Sequence, residues 1–180
     1  MVTARDILLT FYPDDTPLRR LLLVHSRLVA LHALSVARRH PELRLDRRLL
    51  YEGAMVHDVG IFLCSAPRIH CHGTSPYLAH GPLGAALVRR MGREDLARIC
   101  ERHTGTGLTA DLLRRRGVEL ALPDDLRPET PEEQVVCYAD KFYSKSRPAL
   151  CRTYEATLRS LEGFGDGSPD IFAAWHRRFG

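Results

Sequence analysis

The sequence has no CxxC pair and no zinc-ribbon spacing, and its five cysteines (Cys64, Cys71, Cys100, Cys137 and Cys151) are odd in number. That pattern argues against a disulfide framework and against a thiolate zinc site, and reduced thiols in the cytoplasm are the simple reading. Uninterrupted apolar runs fall well short of the roughly 18 residues that cross a bilayer. Arg5 and Asp6 interrupt the N-terminus early, so no signal-peptide pattern is present. No stretch alternates apolar and polar residues for long enough to read as a strand. Excess charge is also scarce, at +4 with histidines neutral. The arginine clusters, such as Arg38-Arg39 and Arg114-Arg115-Arg116, sit where helices show a solvated face or a C-terminal end, where cations are favoured. Neither nucleic acid nor membrane is therefore an expected partner.

What remains is helical periodicity. A chain of 180 residues is long enough for one domain with a full core. The spacing predicts a long helix over Leu18–Arg39, capped by Thr16 with Pro17 at its first position and stopped by Pro41. A second helix runs from a cap at Asp46 to about Asp58, with Gly60 as its end. Leu63–Tyr77, with Pro67, Gly73 and Pro76, reads as a long loop, and loops of this length are often functional. Helices follow over about Gly81–Met91 and Glu94–His103, then a short one from Thr109 to Arg116. Leu122–Pro131 reads as extended. Thr130-Pro131-Glu132-Glu133 opens a further helix, since a cap, a first-turn proline and two carboxylates suit its N-terminus. Helices near Leu150–Phe164 and Ser168–Phe179 complete the chain. The expected class is all-α, one domain over 1–180 with a motif core of about 18–145. The helices of 150–179 would close it or make a homodimer contact, with Trp175 and Phe179 on one face.

The chemistry lies in the histidines. His57-Asp58 stands in GAMVHDVGIF. Neighbours on a helix differ by about 100°, so this pair flanks one ion only at a helix end or distortion, or with the aspartate reaching a second ion. His25 interrupts an apolar face, His80 and His103 stand at helix ends, and Asp140 sits on an otherwise apolar helix, where a bare carboxylate is costly. Imidazole and carboxylate together suit zinc, iron, manganese and similar ions.

The ordered set His25, His57-Asp58, His80, His103, Asp140 resembles the HD superfamily of metal phosphohydrolases. HDVGI is similar to the HDIG form of its motif, and the surroundings of His25, His80, His103 (HTG) and Asp140 (ADK) also fit. The likeness covers roughly Leu18–Lys145. It is closest to the branch with two extra histidines, which includes symmetrical diadenosine-tetraphosphate hydrolases. No GYP element follows, which disfavours cyclic-di-GMP as substrate. The resemblance implies an HD-domain helical bundle holding one or two divalent or transition ions (Fe, Mn, Zn, Ni, Co or Mg). His25, His57, Asp58 and Asp140 would hold the first ion. Asp58 would bridge to a second on His80 and His103. It implies hydrolysis of a phosphoester or phosphoanhydride of a small nucleotide-like substrate by a metal-activated water. Asp58 and Lys141 are the expected catalytic residues, and Lys141, Thr104, Gly105 and Arg27 the expected substrate contacts. The alternatives are a non-catalytic regulatory module that binds nucleotide or metal, and a di-iron oxygenase. The His70-Cys71-His72 loop matches no part of the motif.

Overall fold

The computed structural model describes residues 1–118, 125–164 and 167–180. Among these residues the architecture is a helical bundle, and the fold class is all-α. The chain opens with α1 (Ala4–Phe11), α2 (Pro17–Arg39) and α3 (Arg47–Val56). A 3₁₀ turn (Val59–Leu63) and a small ribbon of β1 (Ser65–Ala66) and β2 (Cys71–His72) lead to α4 (His80–Arg90) and α5 (Glu94–Arg102). Then come β3 (Leu108–Thr109), α6 (Ala110–Arg115), β4 (Asp125–Leu126) and α7 (Pro131–Asp140). A hairpin of β5 (Tyr143–Ser144) and β6 (Arg147–Cys151) precedes α8 (Tyr154–Glu162) and α9 (Ser168–Phe179).

Local chemistry explains the boundaries. Thr16 accepts from the Arg19 backbone N–H and Pro17 takes the first position of α2. Asp46 caps α3 by accepting from Arg48 and Leu49. Its own N–H donates to Glu132 at the start of α7, which pins the two helix entries together. Thr130 and Glu133 form a reciprocal capping box on α7. Helix α1 was not expected from the sequence; its signal is a capping box too, between Thr3 and Asp6.

Helix α2 runs through the middle. It buries Leu22, His25, Ser26, Val29, Ala30, Ala33 and Val36 against α3 and α7. Among the apolar residues of α2, Val24 and Leu31 point outward. Ser26, Ala30 and Ala33 keep part of this inner stripe small, which allows close helix packing. By length and composition α2 is long and apolar enough to cross a membrane, which its short uninterrupted runs did not suggest.

Two further expectations are corrected. Short ribbons exist where no strand was expected: β1–β2, β3–β4 and β5–β6 are each antiparallel pairs, too brief for alternation to register. The helix expected from Leu150 starts only at Tyr154, capped by Thr153, because residues through Cys151 pair with β5. The extended segment expected over 122–131 lies outside the described residues at 122–124; its described part begins in β4. The C-terminal end behaves as a closing element. Helix α9 buries Phe172, Trp175 and Phe179, Tyr138 and His176 share a 2.7 Å hydrogen bond, and Arg39 donates to the Phe179 carbonyl.

Gly60 does not cap α3, which stops four residues earlier at Val56. It lets two backbones meet instead: a Cβ there would run into the His80 carbonyl and the backbone of Gly84. That contact sets α4, and hence His80, against the segment bearing Asp58. Gly60→Ala should therefore cost about 1–3 kcal/mol by overpacking. Gly163→Ala, where a Cβ meets open space at φ −65°, should change stability by less than about 1 kcal/mol. Urea unfolding of both variants checks this, and equal effects would contradict the packing role.

Candidate metal centre

Five elements deliver six side chains to one point, four of those elements by their ends. His25 comes from the interior of α2. His57 and Asp58 follow the last residue of α3, His80 begins α4, His103 follows α5 and Asp140 ends α7. The geometric problem of adjacent His57 and Asp58 is solved by that helix end. His57 keeps helical angles, whereas Asp58 turns to φ −99°, ψ 10°, so both side chains can face one centre.

Asp58 sits at the junction of two ligand sets. Its Oδ2 lies 3.2 Å from His25 Nε2 and 3.0 Å from His57 Nε2. Its Oδ1 lies 3.3 Å from both His80 Nε2 and His103 Nε2. Asp140 Oδ1 completes the first set at 3.0 Å from His25 and 3.5 Å from His57. His25, His57, Asp58 and Asp140 thus form one group of mutually close ligand atoms, and Asp58, His80 and His103 a second. All six residues are buried.

The donor chemistry fits metal ions. His57, His80 and His103 each place Nδ1 within 2.5–2.7 Å of the carbonyl three residues back, on Ala54, Tyr77 and Cys100. Nδ1 must carry the hydrogen there, so Nε2 is the nitrogen left to bind a metal. The Nε2 atoms stand close in pairs: His25 and His57 are 3.2 Å apart, His80 and His103 3.0 Å. They also converge on the oxygens of Asp58, neither of which has a hydrogen-bond partner of good geometry. Imidazole nitrogens and carboxylate oxygens gathered in one buried space suit a metal cation among them.

The titrating groups respond accordingly. Burial works against charge on His57, but the Asp58 and Asp140 carboxylates outweigh it and raise its pKa to about 9. Burial dominates at His103 and holds it down to about 3. Burial opposes the ionised form of Asp58 and Asp140 as well. His57 and Lys145 nonetheless bring Asp58 well below the usual carboxylate range, and Lys141 and Lys145 do so for Asp140.

Above the ligands lies a cleft of about 450 Å³. His80, His103 and Asp140 open into it, together with Thr104, Gly105, Lys141, Lys145, Arg68 and Arg152. The Thr104 hydroxyl is buried without a partner. Lys141 reaches the cleft but is already engaged, at 2.6 Å from Asp140 Oδ2 and 2.9 Å from the His103 carbonyl. Arg27 is not in the cleft. It is exposed and lines a separate groove with Arg5, Arg19 and Tyr51, because it lies on the far side of α2 from the buried His25. His70 and His72 are exposed and join neither ligand group; the cleft instead meets their loop at Ala66, Arg68 and Ile69. The Tyr77 ring stacks on His80 at 4.7 Å, buttressing a ligand.

Sequence reasoning missed Lys145, whose Nζ is 2.7 Å from Asp58 Oδ2, and it missed Arg68 and Arg152. The available signal was the run Ser144-Lys145-Ser146-Arg147-Pro148 after α7, a turn composition that folds the chain back over Asp140.

The sequence pattern of the HD domain matches residues 22–144, a span that contains all six candidate ligands. The chain belongs to the HD domain family. This HD domain is 35% identical over 113 residues to an uncharacterized protein of Methanocaldococcus jannaschii, covering 62% of this chain and 58% of that one. It is 33% identical over 103 residues to a tRNA (cytidine(56)-2'-O)-methyltransferase of Picrophilus torridus, covering 57% and 26%. The protein of the same name from Thermoplasma volcanium is 31% identical over 125 residues, covering 68% and 32%. The chain thus spans less than two thirds of each of these relatives. No solved structure matches.

Metal loading must displace the His57 proton, which is held up to about pH 9. Binding at pH 7.5 should therefore release at least about one proton per chain, and apparent affinity should climb about tenfold per pH unit before levelling near pH 9. Manganese titration in weak buffer with an indicator dye measures both. Affinity that does not vary between pH 7 and 9 would contradict the raised pKa of His57.

Proposed function

We propose that this HD domain is a metal-dependent phosphohydrolase, cleaving a phosphoester or phosphoanhydride bond of a small, nucleotide-like substrate. The observation that carries the proposal is the position of Asp58, shared by two imidazole sets directly beneath a cleft lined with lysine and arginine. A buried His/Asp cluster in an HD domain fits a metal-dependent hydrolase. The phosphate is inferred from the cleft.

Ions held by the two sets would supply a bound water of lowered pKa and polarisation of a phosphoryl oxygen. The protein's own residues do the rest. Backbone carbonyls fix three of the imidazoles through Nδ1, so their Nε2 atoms stay aimed at one point. Lys141 ties Asp140 to the His103 carbonyl and so acts on ligand position, where the sequence suggested a direct phosphate contact. Thr104 lines the cleft beside His103, with its hydroxyl buried. Arg68 and Arg152, which also line the cleft, suit additional negative charge on the substrate. Phe164, Leu161 and Tyr143 give the cleft an apolar wall, suited to the non-phosphate part of such a molecule.

The complete ligand set disfavours a regulatory module without turnover. Two relatives bear the name of a methyltransferase, but the matched region is 26% and 32% of their length, and the buried ligands suit hydrolysis, not methyl transfer.

The test is a screen of the manganese-loaded protein under argon against p-nitrophenyl phosphate, bis-p-nitrophenyl phosphate, nucleoside monophosphates and dinucleoside polyphosphates. Hydrolysis without oxygen, abolished by chelator and reduced at least about 100-fold in Asp140→Ala, is the expected result. No hydrolysis of any member, with metal bound, would overturn the proposal. His80→Ala and His103→Ala should each lose at least about tenfold in kcat while the first ligand set still binds metal. Full activity in both variants would leave the second set without a catalytic part.

A further inference from the structure

Lys145 stands out among the cations near the ligands. It sits at the tip of the β5–β6 hairpin, where a lysine normally extends into solvent, yet its side chain is only 14% exposed. It turns inward and sets its ammonium 2.7 Å from Asp58 Oδ2, on the side of His25 and His57. The Tyr77 ring lies beside it, 6.0 Å from Nζ. The same side chain also lines the cleft. Lys141 has no such freedom, since both Asp140 and the His103 carbonyl hold it.

A metal ion in the first set would share Asp58 Oδ2 with that ammonium. Two cations on one carboxylate oxygen in a buried site repel strongly. Lysine has a flexible four-carbon stem and a compact charge with rotatable donors, so it can give up one anion and take another nearby. The cleft that it lines is where the proposed substrate places its phosphate. We propose that Lys145 neutralises Asp58 while the first metal site is empty, is displaced into the cleft when metal binds, and there becomes the cation that receives the substrate's phosphate. This rests on the phosphohydrolase reading for its second half only; the competition with metal holds whatever the substrate.

Competition predicts opposite effects on two ligands, which a purely structural lysine would not give. Lys145→Met removes the competing charge and keeps much of the stem. Calorimetric titration with Mn²⁺ should show tighter binding, by about tenfold or more. The manganese-loaded variant should bind inorganic phosphate at least about tenfold more weakly than wild type. Lys145→Arg retains a cation and should keep metal binding close to wild type. Lys145→Gln keeps a hydrogen-bond donor toward Asp58 and serves the same test if the Met variant does not fold. Unchanged or weaker Mn²⁺ affinity in a folded Met or Gln variant would overturn the proposal, as would unchanged phosphate binding. A metal-affinity gain in the variants, in a wild-type protein that hydrolyses no phosphate ester, would instead fault the substrate class and leave the competition standing.

Discussion

One buried carboxylate governs the rest of the structure. Asp58 is fully removed from water, and a bare carboxylate there would cost several kcal/mol. It is held among four imidazole nitrogens and an ammonium, all within 3.3 Å. Only positive charge stabilises that arrangement, so the fold must bring cationic or metal-binding groups to this point from distant parts of the chain. The surrounding elements are placed accordingly. Helix α2 contributes small inner residues that let α3 and α7 approach, and Gly60 lets α4 come up against the Asp58 segment.

Helix ends are the device that makes convergence possible. A helix leaves its last carbonyls without intrahelical partners. At the ends of α3 and α5 the imidazoles of His57 and His103 take up such carbonyls through Nδ1. His80 does the same on the turn that leads into α4. One hydrogen bond thus satisfies an orphan acceptor, fixes the tautomer and directs Nε2 inward. The termination of each helix and the orientation of its ligand are a single event, which ties the stability of the bundle to the geometry of the site.

The helices after α1, most of their caps and the six residues that gather in the candidate metal centre were legible in the sequence, because each has a local signature. Thr16-Pro17, Asp46 and Thr130-Pro131 announce helix starts, and His25 and Asp140 betray themselves as polar residues on apolar faces. Features that depend on three-dimensional return were not legible. Lys145 reaches Asp58 only because a two-residue turn folds the chain back, and ribbons this short carry no readable period. Arg27 was misplaced for a related reason. It is two residues from His25 in sequence, which on a helix puts it on a different face. Gly60 read as a helix stop, whereas its function is close contact with α4, a tertiary demand with no local mark. Lys141 was expected on the substrate and is instead bound to Asp140 and a carbonyl, a partnership set by how α7 meets α5.

The most direct measurement is metal content by elemental analysis of chelator-free protein, wild type beside Asp58→Ala. If Asp58 is the carboxylate shared by two sites, the wild type loads about two ions per chain after exposure to manganese, iron or zinc, and the variant loses both. Retention of one ion by the variant would contradict a shared carboxylate. Absence of metal from the wild type under every condition would contradict the metal centre itself.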